Sequence, residues 1–149
     1  VYSIRSGQRV PGGKGTLLDI GTNVPLIANW PGKIAAGSQG HELVDFSDWL
    51  PTLAEIGGAK PGQKIDGISF ASTLFHSSPR VARQFAFAES RNRKAWVRTK
   101  RYKLYNDGTY FDVSADAMEK HPLQEVAGRA ADERKLLEAA LLKLNVPEN

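Results

Sequence analysis

The order of apolar and polar positions divides the chain into a first third of strand–helix character and a strand-rich second half. Residues 1–15 are polar and glycine-rich and read as loop. Val24-Pro25-Leu26-Ile27-Ala28-Asn29-Trp30 is a short apolar run that predicts a buried strand, stopped by Pro31-Gly32. Leu43-Val44-Asp45-Phe46 predicts a second short strand, and residues 47–56 predict a helix with Ser47 as N-cap. Pro51 then falls at the fourth helical position, where an amide has no partner inside the helix, and Gly57-Gly58 ends the element. A loop over residues 59–68, a brief helical turn over 69–75 and a surface break at 76–79 follow.

The second half carries the clearest periodicity. Residues 84–88 and 94–99 read as strands, and Arg101-Tyr102-Lys103-Leu104-Tyr105 alternates strictly between charged and apolar or aromatic positions. Asn106-Asp107-Gly108 is a hairpin turn and residues 109–113 return. The expectation is an antiparallel meander with one wet and one dry face. Residues 130–144 form an amphipathic helix with Leu136, Leu137, Ala140, Leu141 and Leu144 on one stripe and Pro147 beyond its end. The fold class is therefore α+β. The opening loop follows no visible element, so the chain is expected to belong to a longer protein.

Composition narrows the chemistry. The 149 residues suffice for about one domain. The absence of cysteine excludes disulfides, thiolate nucleophiles and cysteine metal sites. No apolar run is long enough to span a membrane, and the first ten residues do not form a secretory signal. The net charge of +4 is uneven, with nine Lys or Arg between residues 80 and 103 opposed only by Glu89. Such a stretch suits either a solvated strand face or a polyanion-binding module.

Candidate chemistry centres on Gly13-Lys14-Gly15-Thr16. The spacing is wrong for a Walker A loop, since Thr16 comes one place late and Gln8 stands where the first glycine belongs, and it fails GxGxxG as well. A glycine-rich turn with an exposed lysine and an anion-binding loop both remain open on these residues alone. Asp45 and Asp48 suggest a metal pair, but one at a strand end and one in a first helical turn suit the helix dipole better. His41, His76 and His121 lack paired ligand spacing. Arg91, Arg93 and Trp96, with Arg98 nearby, could line a substrate-binding subsite, or Trp96 could simply pack under the terminal helix.

Several stretches fall in a recognisable order: Gly13-Lys14-Gly15-Thr16, Val24-Pro25-Leu26-Ile27 with Trp30-Pro31-Gly32-Lys33-Ile34, Asp48-Trp49-Leu50-Pro51-Thr52-Leu53, Asp66-Gly67-Ile68-Ser69-Phe70, the run from Val97 through Tyr105, and Tyr110-Phe111-Asp112-Val113. Together they resemble the C-terminal portion of the sulfatases, within the alkaline-phosphatase-like superfamily, from about residue 12 to residue 125. The resemblance implies a piece of an α/β sulfatase, with residues 1–80 ending the catalytic domain and residues 81–149 forming a C-terminal subdomain of antiparallel strands and terminal helix. It implies that Lys14 binds the sulfate group of a sulfate-ester substrate. Calcium and a formylglycine nucleophile are expected in the N-terminal part of the parent and not in this chain. That N-terminal catalytic domain is the implied partner, with self-association when this chain is alone, and neither nucleic acid nor membrane is expected. A periplasmic or secreted parent is implied, and a phosphonate or phosphoester hydrolase of the same superfamily is the alternative activity. Leu17, Asp19 and Asn23 depart from the Thr, Glu and Arg often found in the family. Ser77-Ser78-Pro79-Arg80 resembles the formylglycine motif only superficially, because Pro79 is followed directly by Arg80.

Overall fold

The computed structural model describes residues 2–5, 7–76 and 83–147, with the side chains of Ser3, Arg5 and Gln8 left aside. The Ser77–Arg80 stretch lies outside the described residues. The chain forms two compact units, one from residues 1–25 with 87–149 and the other from residues 26–86. No helix among the described residues is long and apolar enough to cross a membrane.

The first unit opens with a hairpin where a loop was expected. Strand β1 (Tyr2–Arg5) pairs antiparallel with β2 (Gln8–Pro11), with Tyr2 opposite Pro11 and Arg5 opposite Gln8. Tyr2 and Ile4 alternate with Ser3 and Arg5, but over only four residues, and both apolar side chains are exposed; the Arg9 guanidinium stacks 3.4 Å from the Tyr2 ring centroid. A short helix, α1 (Asp19–Thr22), follows the glycine-rich loop.

The meander is a four-stranded sheet in the order β3 (Ala86–Glu89), β4 (Ala95–Arg98), β5 (Tyr102–Tyr105) and β6 (Tyr110–Asp112). Gly108 N–H donates to the Tyr105 carbonyl at 3.0 Å and Tyr105 N–H to Thr109 at 2.9 Å, with Gly108 at φ +82°. This is a type I turn closed by a left-handed glycine, the geometry of a three-residue hairpin loop. Trp96 pairs with Tyr105, Val97 with Leu104 and Arg98 with Lys103, so Trp96, Arg98, Lys103 and Tyr105 share one face. The other face carries Val97, Tyr102, Leu104 and Tyr110 and meets the terminal helix α4 (Arg129–Lys143), whose Ala130 carbonyl accepts the Tyr110 hydroxyl at 2.9 Å. Leu137 and Ala140 of the predicted stripe are buried, whereas Leu136 and Leu144 lie at its exposed edge.

The expectation of one wet face is overturned. All four residues of β5 are buried, and Lys103 is 0% exposed. Alternating charge reads as a solvent face only when no countercharge covers it, and here residues 17–19 and Glu119 lie across it.

In the second unit, neither predicted strand forms. Residues 24–30 carry no ladder pairing, Val24, Leu26, Ile27 and Trp30 are exposed, and the Trp30 carbonyl accepts Lys33 and Ile34 amides in a turn. A run of β-forming residues makes a strand only beside a partner strand, and none of the described residues offers one. Residues 43–45 likewise join no strand ladder, and a 3₁₀ turn (Phe46–Asp48) leads into α2 (Trp49–Ile56). The cap is Asp45, not Ser47. Its carboxylate accepts Ser47 N–H at 3.0 Å while Asp48 accepts Asp45 N–H at 2.8 Å, a reciprocal capping box. Gly58 at φ +70° closes the helix, with Ala59 N–H reaching the Ala54 carbonyl at 2.8 Å. A further turn, α3 (Ala71–Leu74), completes the unit.

Asp48 organises this unit. Its buried carboxylate pairs with Arg83 and accepts Ile68 N–H at 2.7 Å. Burial pushes the Asp48 carboxyl up, but the hydrogen bonds from Arg83 and the Ile68 and Asp45 amides outweigh it and hold it below 3.8. A depressed carboxyl contributes stability present above the unfolded value and lost as pH falls through the folded value. The melting temperature of the protein is therefore expected to fall as pH drops below 3.8. Asp48→Asn should flatten that acid limb while costing about 3–5 kcal/mol near neutral pH, because it strands a buried guanidinium. Calorimetry across an acid pH series checks both arms.

Candidate functional site

Lys14 sits in a tight turn built by glycine. Thr16 donates to the Gly13 carbonyl through both N–H, at 2.9 Å, and Oγ1, at 2.7 Å. Gly15 at φ +82° occupies the third turn position, where a type II turn requires the left-handed region. A Cβ on Gly13 would meet Gly21 N at 2.7 Å, so the loop and α1 are packed backbone against backbone. The backbone of Gly13 is buried while the Lys14 side chain is exposed. The arrangement offers one ammonium on a close-packed turn.

Behind the turn the chain is tethered to the sheet. Lys103 Nζ donates to the Leu17 carbonyl at 2.5 Å and to Glu119 Oε1 at 2.8 Å. Glu119 Oε1 also accepts Asp19 N–H at 2.6 Å, and its Oε2 accepts the Tyr105 hydroxyl at 2.5 Å. That hydroxyl stands 3.1 Å from the Leu17 carbonyl. Arg98 pairs with the buried Asp19 carboxylate, which also accepts Asn23 Nδ2 at 3.2 Å. Lys103 Nζ lies 4.8 Å from the Trp96 ring and 4.9 Å from the Tyr105 ring. Burial lowers the Lys103 ammonium pKa, with Glu119 only partly opposing it. Burial first, and Glu119 second, push the Tyr105 phenol up. Charge alternation hid these residues from sequence reading, and nothing in the sequence ties Glu119 to them.

The other candidates are placed apart. Arg91 and Arg93 lie exposed on the turn between β3 and β4, where Arg93 reaches Glu89 at 3.8 Å. Trp96 is buried, 4% exposed, on the tethered face of the sheet. These three therefore do not share one open surface. The rest of the basic stretch is largely engaged: Arg83 with Asp48, Lys94 with Asp107, Arg98 with Asp19, Arg101 with Asp112 and Lys103 with Glu119. Asp45 and Asp48 serve the capping box and the Arg83 pair. Among the described residues no group of three or more His, Asp or Glu could hold a metal ion. His121 is exposed beside Asp116 at 3.6 Å, and His41 and His76 are exposed too.

Residues 13–145 match a family model described as N-sulphoglucosamine sulphohydrolase, C-terminal. Arylsulfatase A of Bos taurus is 36% identical over 112 residues, covering 70% of this chain and 22% of its own length. A protein of Formosa agariphila named as a sulfatase is 29% identical over 163 residues, covering 90% of this chain and 30% of its own. The solved structure of a 2-O GAG sulfatase is 25% identical with a TM-score of 0.50, covering 66% of this chain and 24% of that one. Another, a protein solved with its substrate D-glucosamine-2-N,6-O-disulfate, is 21% identical with a TM-score of 0.51 over 66% of this chain and 23% of its own, and shows the shared fold alone. The chain thus spans less than a third of the length of these relatives.

The buried tether and the exposed ion pairs should separate in stability. Lys103→Met is expected to cost about 3–5 kcal/mol, since it leaves the Glu119 carboxylate buried without its cation. Arg101→Met, which breaks a pair whose arginine is half-exposed and screened by water, should leave the denaturation midpoint nearly unchanged. Urea denaturation of both variants tests the contrast.

Proposed function

The chain belongs to the sulfatase family, in the C-terminal region described by N-sulphoglucosamine sulphohydrolase, C-terminal, and on that premise we propose that it forms part of a sulfatase in which Lys14 binds the sulfate group of a sulfate ester. The observation that carries the reading is an exposed lysine carried on a turn close-packed between Gly13 and Gly21 and tethered to the sheet. A sulfate ester gathers negative charge on its oxygens as the ester bond breaks, and a fixed cation aimed at them stabilises that transition state. The substrate is a sulfate ester of the kind that relatives named as sulfatases act on.

Calcium and formylglycine are proposed for the N-terminal part of the parent, as the resemblance implies; among the described residues of this chain no three His, Asp or Glu cluster as metal ligands. The Asp48 carboxylate is occupied by Arg83 and two amides, and there is no cysteine. The proposed role of this chain runs through Lys14 alone.

In the full-length enzyme, Lys14→Ala is expected to lower kcat/KM by roughly 10²–10³-fold, about 3–4 kcal/mol, with kcat carrying most of the loss. The melting temperature should stay within about a few degrees, because an exposed lysine contributes little packing. Lys14→Arg should restore activity only in part, since a planar guanidinium does not occupy the place of a compact ammonium. Near-normal kcat/KM in Lys14→Ala would refute the sulfate-binding role.

The proposed partner of residues 26–86 is the remaining polypeptide of the parent. Helix α2 turns its polar side inward: Thr52 is 0% exposed, donating to the Asp48 carbonyl at 2.6 Å and accepting Phe70 N–H at 3.0 Å. Its apolar stripe faces outward, with Phe46, Trp49, Leu50 and Leu53 at helical spacing and both leucines 58% exposed. An exposed apolar stripe of this kind suits an interface, and the relatives are long enough to hold further polypeptide that could cover it, since the chain spans 22% and 30% of their length. Alone, the 149-residue chain should self-associate through this stripe. In sedimentation velocity, its average mass should rise with concentration, and Leu50→Glu with Leu53→Glu should abolish the rise; an unsubstituted 149-residue chain that stays monomeric throughout contradicts the assignment.

A further inference from the structure

We propose that Glu119, Lys103 and Tyr105 are positioning residues that set where Lys14 stands, an inference that rests on Lys14 binding sulfate. The long lysine stem is exposed, so the fold can aim the ammonium only by placing the backbone that carries it. That backbone behaves as one short block. Gly13 and Thr16 are bonded across the turn, Gly13 and Gly21 are in backbone contact, and Gly21 and Thr22 amides return to the Leu18 carbonyl at 2.8 and 3.1 Å. The block is fastened to the sheet at its middle. The Leu17 carbonyl receives Lys103 and faces Tyr105, and Asp19 N–H is held by Glu119. A displacement of these anchors moves Lys14, three residues from Leu17, with the turn.

Glu119 carries a second mark. It holds φ +53°, a left-handed conformation unfavourable for a long side chain and kept only where its surroundings over-determine it. Here the surroundings do so: Glu119 N–H donates to the Asp116 carbonyl at 3.0 Å, while Asp116 Oδ2 accepts the Lys120 and His121 amides, each at 2.7 Å. The strained residue is the one whose carboxylate joins the loop to the strand, with its side chain 1% exposed. A misplacement of about 1 Å at a charged catalytic group is enough to cost roughly 10²-fold in rate.

The test is a kinetic double-mutant cycle in the full-length enzyme, with 4-nitrophenyl sulfate as the probe. Glu119→Gln and Tyr105→Phe are each made in the wild-type and Lys14→Ala backgrounds, and kcat, KM and melting temperature are measured. Tyr105→Phe keeps the buried ring and carries the test where Glu119→Gln does not fold. Positioning through Lys14 predicts that each substitution lowers kcat/KM by roughly 10- to 10²-fold, mainly in kcat, and by less than about 2-fold once Lys14 is alanine, while the loss in melting temperature is the same in both backgrounds. Equal kinetic losses in both backgrounds, or a lowered melting temperature with unchanged kcat/KM, overturn the positioning role while leaving the Lys14 assignment intact. A Lys14→Ala enzyme of normal activity overturns both.

Discussion

The structure of the first unit turns on a fully buried ion pair, Lys103 with Glu119. Removing two opposite charges from water costs several kcal/mol for each, and attraction between them recovers this only when every remaining polar atom is satisfied. Here each is. The ammonium also meets the Leu17 carbonyl and the faces of Trp96 and Tyr105, and both carboxylate oxygens accept further hydrogen bonds, from Asp19 N–H and the Tyr105 hydroxyl. Such a pair is a weak source of net stability, because an apolar pair of equal volume would do as well. What it supplies is geometry. Each of its bonds has a direction, and together they accept one placement of residues 17–19 on the sheet.

The two faces of the meander therefore do different work. The face against α4 is apolar, built from Val97, Leu104 and Leu137, and holds the helix by burial, which tolerates small slips. The face beneath the loop holds by hydrogen bonds and charge, which do not. The second unit follows the same division: Asp48 and Arg83 fix the approach of residues 66–68 to α2, while Trp49 and Phe70 pack edge to face at 5.4 Å. Its apolar surplus faces outward, opposite to the arrangement of an isolated amphipathic helix.

The elements that sequence reading recovered are those whose signals are local. The meander, the Asn106-Asp107-Gly108 hairpin, α2 and α4 all rest on neighbours within a few residues. The failures arise where a distant partner decides. Lys103 looks solvated because its countercharge comes from a loop with no periodicity, and Asp19 finds Arg98 across 79 residues. Residues 24–30 have strand composition without a strand beside them, and the β1–β2 hairpin pairs two four-residue strands too short to stand out in the sequence. The turn that carries Lys14 was legible because its flanking glycines are a local requirement of that turn. Its anchors were not, because their roles exist only once the fold brings residues 17–19, 98–105 and 119 together.

Asp19 shows what this separation allows. It stands where the resemblance departs from the residue often found in the family, yet it lies beside Lys14 in sequence and is one of the most buried polar residues of the unit. Its carboxylate takes Arg98 and its amide takes Glu119, so both its side chain and its backbone belong to the tether. A change at such a position alters how the loop is fastened without altering the lysine the loop carries. The same holds for Arg98, Lys103 and Tyr105 on the strands. On the proposed positioning role, the sheet re-aims one exposed ammonium through buried residues away from it, and the Gly13–Gly21 packing passes each adjustment on to Lys14.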